Sequence, residues 1–282
     1  MATDTDKLFN RLDDLLDRLE LLMPADKPLQ QDWSFHAYRW MNGKLGGIPD
    51  FHRIDDGQLL HLERQAALLG RNTEQFVSGL PANNALLWGA RGTGKSSLIK
   101  AQLNRFRDQG LCLVEVSKKE TEHLFEIIST LSTNDRKYLL YMDDLSFEQD
   151  DESYKALKAS LEGSIQAQPE NVLIYATSNR RHLLSETMQD NLDSQMVDGQ
   201  LHPGDAIEEK VSLSDRFGLW LSFHPFTQQQ YLDVISQALA NHDLELDEAA
   251  RAEALRFATQ RGSRSGRIAC QFATFWLGQT LS

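Results

Sequence analysis

"LLWGARGTGKSSLIK", residues 86–100, passes from an apolar strand pattern through a glycine-rich turn into a helical pattern that puts Ile99, Leu103 and Phe106 on one face. Gly89-Ala90-Arg91-Gly92-Thr93-Gly94-Lys95-Ser96 has the spacing GxxxxGKS. Gly89, Gly92 and Gly94 let the backbone turn tightly and aim successive N–H groups into one concavity, which holds a phosphate at the N-terminus of the next helix. Lys95 can then reach the outer phosphates. Ser96 offers a hydroxyl to Mg²⁺, a hard cation that takes oxygen ligands, and Ser97 follows it in the first helical turn. Because a strand precedes the turn and a helix follows it, the stretch predicts a P-loop for ATP with Mg²⁺.

Moving outward, short buried-strand runs alternate with helical periodicity. The runs are "NALLWG" (84–89), "LCLVEV" (111–116), "YLLYM" (138–142), "NVLIYATS" (171–178) and "LWLSF" (219–223). Between two of them "SYKALKASLEGSI" puts Tyr154, Leu157, Leu161 and Ile165 on one helical face. This alternation predicts an α/β fold, a three-layer P-loop domain with a five-stranded parallel sheet, over residues 55–225. After Pro225 the strands stop, and residues 226–282 read as three helices, the third beginning near Ser265 and carrying Phe272, Phe275 and Trp276. That is a small C-terminal helical lid. Residues 1–54 read as an extension. Leu8, Leu12, Leu15, Leu19 and Leu22 form an apolar helical stripe that either docks on a partner, pairs with itself or packs on its own domain. Trp33, Phe35, Tyr38 and Trp40 then precede the Gly46-Gly47 turn and read as core packing.

A phosphate-binding loop becomes a hydrolytic site only with an acid at the end of a neighbouring strand. "KYLLYMDDLSF" supplies Asp143 for the metal and, beside it, Asp144 in the place of the group that polarises the attacking water. "LIYATSNRRHL" ends a third strand with Thr177, Ser178 and Asn179, and Asn179 can orient the water or touch the γ-phosphate. Arg216 in "SLSDRFGLWLSF" precedes the last strand, and Arg267 in "GSRSGRIACQF" opens a lid helix. Such arginines either stabilise a transferring phosphoryl group and sense the nucleotide, or form surface salt bridges.

Net charge narrows the partners. At -12 the chain repels nucleic acid in the mean, although a local basic face remains compatible with that value. Cys112 and Cys270 lie far apart with no CxxC or Cys/His spacing, so they read as packing residues in a reducing compartment. "MATDTDKLFNRLDD" has no apolar core of signal-peptide length, and no long apolar run follows, which points to the cytoplasm with no membrane. Residues 186–210 carry seven acids against Lys210 alone and read as a solvated loop or a docking surface for a basic segment.

Over roughly residues 55–282 these motifs, in this order, resemble the AAA+ ATPases. "GARGTGKSS" resembles Walker A, "YLLYMDDLSF" Walker B, "ATSNR" sensor 1, "LSDRFG" the arginine-finger segment and "RSGRIA" sensor 2. More narrowly, "NTEQFVSGLPANNALLWGARGTGKSS" and "YATSNRRHL" resemble a bacterial AAA+ family described only as a domain of unknown function. The Asp-Asp pair is similar to that of replication-initiator ATPases, and "LSDRFG" and "SGRIA" resemble segments of branch-migration motor subunits. The resemblance implies Lys95 and Ser96 on phosphate and Mg²⁺, Asp143 on the metal and Asp144 on the water. It also implies Asn179 as a sensor, Arg216 as a finger acting on a neighbouring subunit, and Arg267 as a lid sensor. Related chains often carry Gly where "LLHLERQ" has His61, which bears on the base contacts expected from Leu60 to Arg64.

Three functions follow. The first is a Mg²⁺-dependent ATPase that forms a homo-oligomer and remodels or loads a protein partner, as a finger needing a neighbour implies. The second is a slow nucleotide switch or scaffold, suggested by Asp144 where many relatives use the longer Glu. The third is an initiator or loader ATPase of DNA replication or repair, which the acidic charge disfavours.

Overall fold

The computed structural model describes residues 31–280 except 52, 55, 148–151, 163–168, 182, 184–194, 198–199 and 203–214. The leucine stripe at Leu8–Leu22, Ile165 and most of the acidic 186–210 segment lie outside the described residues. Phe35–Ser282 forms one compact unit.

Its frame is a sheet of seven strands, not the five expected. β1 (Ala37–Met41) and β2 (Lys44–Gly47) form an antiparallel hairpin. The five runs read from sequence form β3 (Ala85–Gly89), β4 (Leu111–Glu115), β5 (Lys137–Met142), β6 (Val172–Ser178) and β9 (Leu219–Phe223). The order is β2-β1-β4-β5-β6-β3-β9, parallel throughout except between β1 and β2. The two extra strands come from the aromatic segment. Tyr38 and Trp40 alternate with exposed Arg39 and Met41, so the stretch has a period of two along a strand covered on one face, next to the edge strand β2. The central strands instead read as continuous apolar runs because both of their faces are covered; β6 is buried at every position. Gln195–Val197 and Gln200–His202 form a separate hairpin, β7 and β8.

The helices covering the sheet are α1 (Glu63–Val77), α2 (Lys95–Phe106), α3 (Leu124–Ser132) and α4 (Glu152–Glu162). Ile99, Leu103 and Phe106 are buried in one cluster with apolar residues of the sheet, among them Leu113 of β4 and Leu173 of β6, as their spacing requires. Tyr154 and Leu157 are buried too, while Leu161 is half-buried. One polar knot sits inside. The Tyr175 hydroxyl lies 2.9 Å from Thr73 Oγ1 and accepts from Asn72 Nδ2 at 2.9 Å, which satisfies it without water.

The lid consists of α5 (Gln228–Ala240), α6 (Glu248–Gln260) and α7 (Gly266–Thr280), three helices as expected. Thr227 and Gln230 form a reciprocal capping box at the start of α5, which ends the extended stretch after β9. Ala250, Ala254 and Ala258, four apart, give α6 a small-residue face, and the lid core around Phe272 also includes Tyr231 and Ile235. Among the described residues no helix is long and apolar enough to cross a membrane.

Candidate functional site

Three adjacent strands, β5, β6 and β3, end side by side, and their carboxyl ends carry Asp143, Asn179 and the glycine-rich loop. A parallel sheet therefore brings together Gly89, Asp143 and Asn179, which are 36 to 90 positions apart, without any long-range search by loops. Gly89 has φ +131, and a Cβ there would lie 1.9 Å from the Phe223 carbonyl oxygen. That carbonyl also accepts the Ala90 N–H at 3.0 Å, so the loop leaves the sheet pressed against β9. Gly89→Ala should cost about 2–5 kcal/mol through backbone strain and overpacking. Differential scanning calorimetry should show a fall in Tm of roughly 5–15 °C for a chain of this size; an unchanged Tm would refute the close approach.

Gly94 is left-handed at φ +96 and caps α2, whose first turn carries Lys95 and Ser96. Lys95 is 6% exposed. Its Nζ donates to the Gly89 and Ala90 carbonyls at 2.7 Å each and to Asn179 Oδ1 at 3.2 Å. Burial lowers its pKa below the usual lysine value, against the opposing pull of Asp144 and Asp143.

Ser96 Oγ donates to Asp143 Oδ1 at 2.7 Å, and Thr177 Oγ1 donates to the same oxygen at 2.6 Å. Burial acts to raise the Asp143 pKa, but the hydrogen bonds from Thr177 and Ser96, the nearby Tyr141 hydroxyl and the Lys100 charge outweigh it and hold the carboxyl below its ordinary value. Asp144 is left-handed at φ +53. Its N–H donates to Thr177 Oγ1 at 2.9 Å, its Oδ1 accepts from Asn179 Nδ2, and its Oδ2 lies 3.7 Å from Arg91. Ser96, Asp143, Thr177, Asp144, Asn179 and Lys95 are thus joined in one hydrogen-bonded chain.

This chain opens on a cavity of about 590 Å³, within the range of small-molecule sites. Its polar lining includes Lys95, Asp143, Asp144, Asn179 and Arg267, and its apolar lining includes Leu59, Leu60, Leu62, Phe226 and Val234. Of the segment expected to contact a base, Leu60 and Leu62 line the cavity with Gln58 and Leu59, whereas His61 and Arg64 do not. His61 has φ +62, the backbone region where glycine is easiest, which is a physical reason for Gly at this position. Its Nε2 instead reaches Asp233 Oδ2 on α5 at 3.0 Å. Lid and loop also touch directly. The Arg267 N–H donates to the Gly92 carbonyl at 3.2 Å, and a Cβ on Gly92 would meet Ser265 Oγ at 2.8 Å.

Arg216 is half-buried in the turn before β9 and is not among the residues lining the cavity. Phe226, Val234 and Cys270 complete the lining but carried no sequence signal, because they are ordinary residues of lid helices or their approach. Thr177 did carry one: with Ser178 it turns the end of a buried, mainly apolar strand polar.

Residues 33–280 match the family model described as "Protein of unknown function (DUF815)". No curated protein matches the sequence. Among solved structures, a variant of RuvB from Thermotoga maritima matches at 18% identity and TM-score 0.54, covering 80% of this chain and 65% of that one. The Thermotoga maritima RuvB Holliday junction branch migration motor matches at 17% and 0.51, covering 76% and 59%. Aeropyrum pernix ORC1, solved in complex with DNA, matches at 16% and 0.50, covering 74% and 57%. This chain thus spans about three fifths of their length. At such identities the likeness is one of fold, and the fold is that of an AAA+ P-loop NTPase.

Proposed function

This chain belongs to the DUF815 family, and on that footing we propose that it is a Mg²⁺-dependent ATPase that works as a homo-oligomer and couples hydrolysis to remodelling or loading a protein partner. The observation that carries the proposal is the hydrogen-bonded chain from Ser96 to Lys95 at the mouth of a nucleotide-sized cavity. The loop from Gly89 to Ser97 takes the phosphates, with Lys95 leaving the Gly89 and Ala90 carbonyls for phosphate oxygens. Ala90, Arg91 and Thr93 contribute loop backbone, and Thr93 Oγ1 braces the turn by donating to the Ala90 carbonyl at 2.8 Å.

Ser96 and Asp143 are the residues that would hold Mg²⁺. They are two hard oxygen donors already 2.7 Å apart, and such a number suits a cation that keeps waters and shares phosphate oxygens. The ion, when bound, neutralises charge developing on the β- and γ-phosphates. Asp144 accepts a proton from the attacking water, Asn179 orients that water, and Arg267 on the lid reports which nucleotide is present. Arg216, being absent from the cavity lining of its own subunit, suits a role across a subunit boundary. The apolar lining around Leu62 and Phe226 suits a base, and His61 closes the core segment onto α5.

Thiol labelling tests where the nucleotide sits. Cys270 is exposed in the cavity lining, whereas Cys112 is fully buried with its pKa pushed up to about 12 by that burial. A maleimide should label Cys270 alone, and MgATP at about ten times Kd should slow that labelling about tenfold. Labelling indifferent to ATP, together with no phosphate release in steady-state assay, would remove the proposal.

A slow switch or scaffold remains the second reading, and one observation favours it. The Asp144 carboxylate is already engaged by Asn179 and faces Arg91, so it must be released before it can take a proton. Turnover measured with and without cell extract separates the two; strong stimulation by extract argues for the remodeller. The initiator or loader of DNA rests on the likeness to RuvB and ORC1, which is one of fold, and salt-dependent DNA binding would be its test.

A further inference from the structure

We infer that Thr177 is the positioning residue for both carboxylates of the hydrolytic site, an inference that rests on the ATPase reading above. Thr177 lies on β6 and is 1% exposed, in a strand where every position is buried and apolar residues are the rule. A hydroxyl there must find partners or cost stability. It finds two, and the Thr177 carbonyl a third, on three successive residues. Its Oγ1 donates to Asp143 Oδ1 at 2.6 Å and accepts the Asp144 N–H at 2.9 Å, while its own carbonyl accepts the Leu145 N–H at 2.7 Å. The turn after β5 is therefore tied at three successive residues to Thr177, and the next residue, Ser178, adds a bond from its Oγ to the Leu145 carbonyl at 2.8 Å.

The two side-chain bonds do different things. The donated one holds the Asp143 carboxylate beside Ser96, so that the metal ligand is placed before any metal arrives. The accepted one pins the Asp144 peptide in its left-handed conformation, which aims that carboxylate at Asn179. Thr177 borders the cavity but is 1% exposed, so it acts through these acids. The carbonyl bond to Leu145 belongs to the main chain and survives any side-chain change, so the strand pairing gives no reason for a hydroxyl.

Thr177→Val keeps the shape and removes both bonds; Thr177→Ser keeps both and removes a methyl. In the metal-free, nucleotide-free protein, hydrogen exchange at the Asp144 amide should speed about tenfold or more in Thr177→Val, with the Leu145 amide still protected. With Mg²⁺ and ATP, kcat should fall about 10–100-fold and the Mg²⁺ concentration for half-maximal nucleotide binding should rise in proportion, as for other supports of metal ligands. Nucleotide affinity without Mg²⁺ should stay unchanged. Thr177→Ser should restore every readout to near the parent value. An Asp144 amide equally slow in Thr177→Val, a wild-type Mg²⁺ dependence, or a serine variant as defective as the valine one would each overturn the inference. A parent protein that binds no nucleotide would instead defeat the ATPase reading, and the exchange measurement would still decide what Thr177 holds.

Discussion

A Lys95→Met variant loses ATP affinity by about 30–1,000-fold, the factor that follows from removing one partner of a buried, hydrogen-bonded charge pair at about 2–4 kcal/mol. Without a nucleotide the same ammonium is held by two carbonyls and Asn179 in a site that is 6% exposed, a position of standing cost. Its pKa is lowered, with burial as the largest cause. A basic group depressed in the folded state stabilises the fold only above its unfolded value of 10.5 and loses that contribution as pH falls through the folded value. At neutral pH the charged Lys95 therefore works against the nucleotide-free fold. The thermal midpoint of nucleotide-free Lys95→Met accordingly should not fall, while the rise in midpoint on adding MgATP should vanish. Thermal melts with and without nucleotide read both halves, and a methionine variant stabilised by MgATP as much as the parent would contradict the site.

Mixing two dead variants gives the second large effect. Asp144→Asn should lose about 100-fold or more in kcat by removing the proton acceptor, and Arg216→Ala should lose as much by removing a charge from the transition state. Both should bind ATP with nearly parental affinity. If Arg216 acts on a neighbour in a head-to-tail assembly, equimolar mixing places an intact Asp144 opposite an intact Arg216 at about a quarter of the boundaries. Phosphate release should then recover to about a quarter of the parental rate. A mixture as inactive as its components would mean that the arginine serves its own subunit or none.

Legibility in the sequence followed burial. Five strands could be read because β3, β4, β5, β6 and β9 are apolar runs, the inner four sandwiched within the sheet and the edge strand β9 alternating buried Leu221 and Phe223 with half-buried neighbours. β1 was missed because its pattern is Tyr38 and Trp40 alternating with Arg39 and Met41, which looks like scattered aromatic packing until a neighbouring strand supplies its hydrogen bonds. Lys95, Ser96, Asp143 and Asn179 were legible since each is placed by the end of a strand or the start of a helix. What could not be read were the ties formed after folding. His61 to Asp233 spans 172 positions, and Arg267 to Gly92 spans 175, with no local pattern that announces either partner. Thr177 lies between these cases: its polarity was visible, and its three partners were not.

The contact between Gly92 and the start of α7 has a mechanical consequence. A helix of 15 residues is about 22 Å long, so one degree of tilt at its root moves its tip by about 0.4 Å. Half-exposed Phe275 rides on that arm, stacked on Phe257. A tilt of five degrees at that root would carry the aromatic surface by about 2 Å. In such a tilt the lid would be a lever with the phosphate loop as its fulcrum.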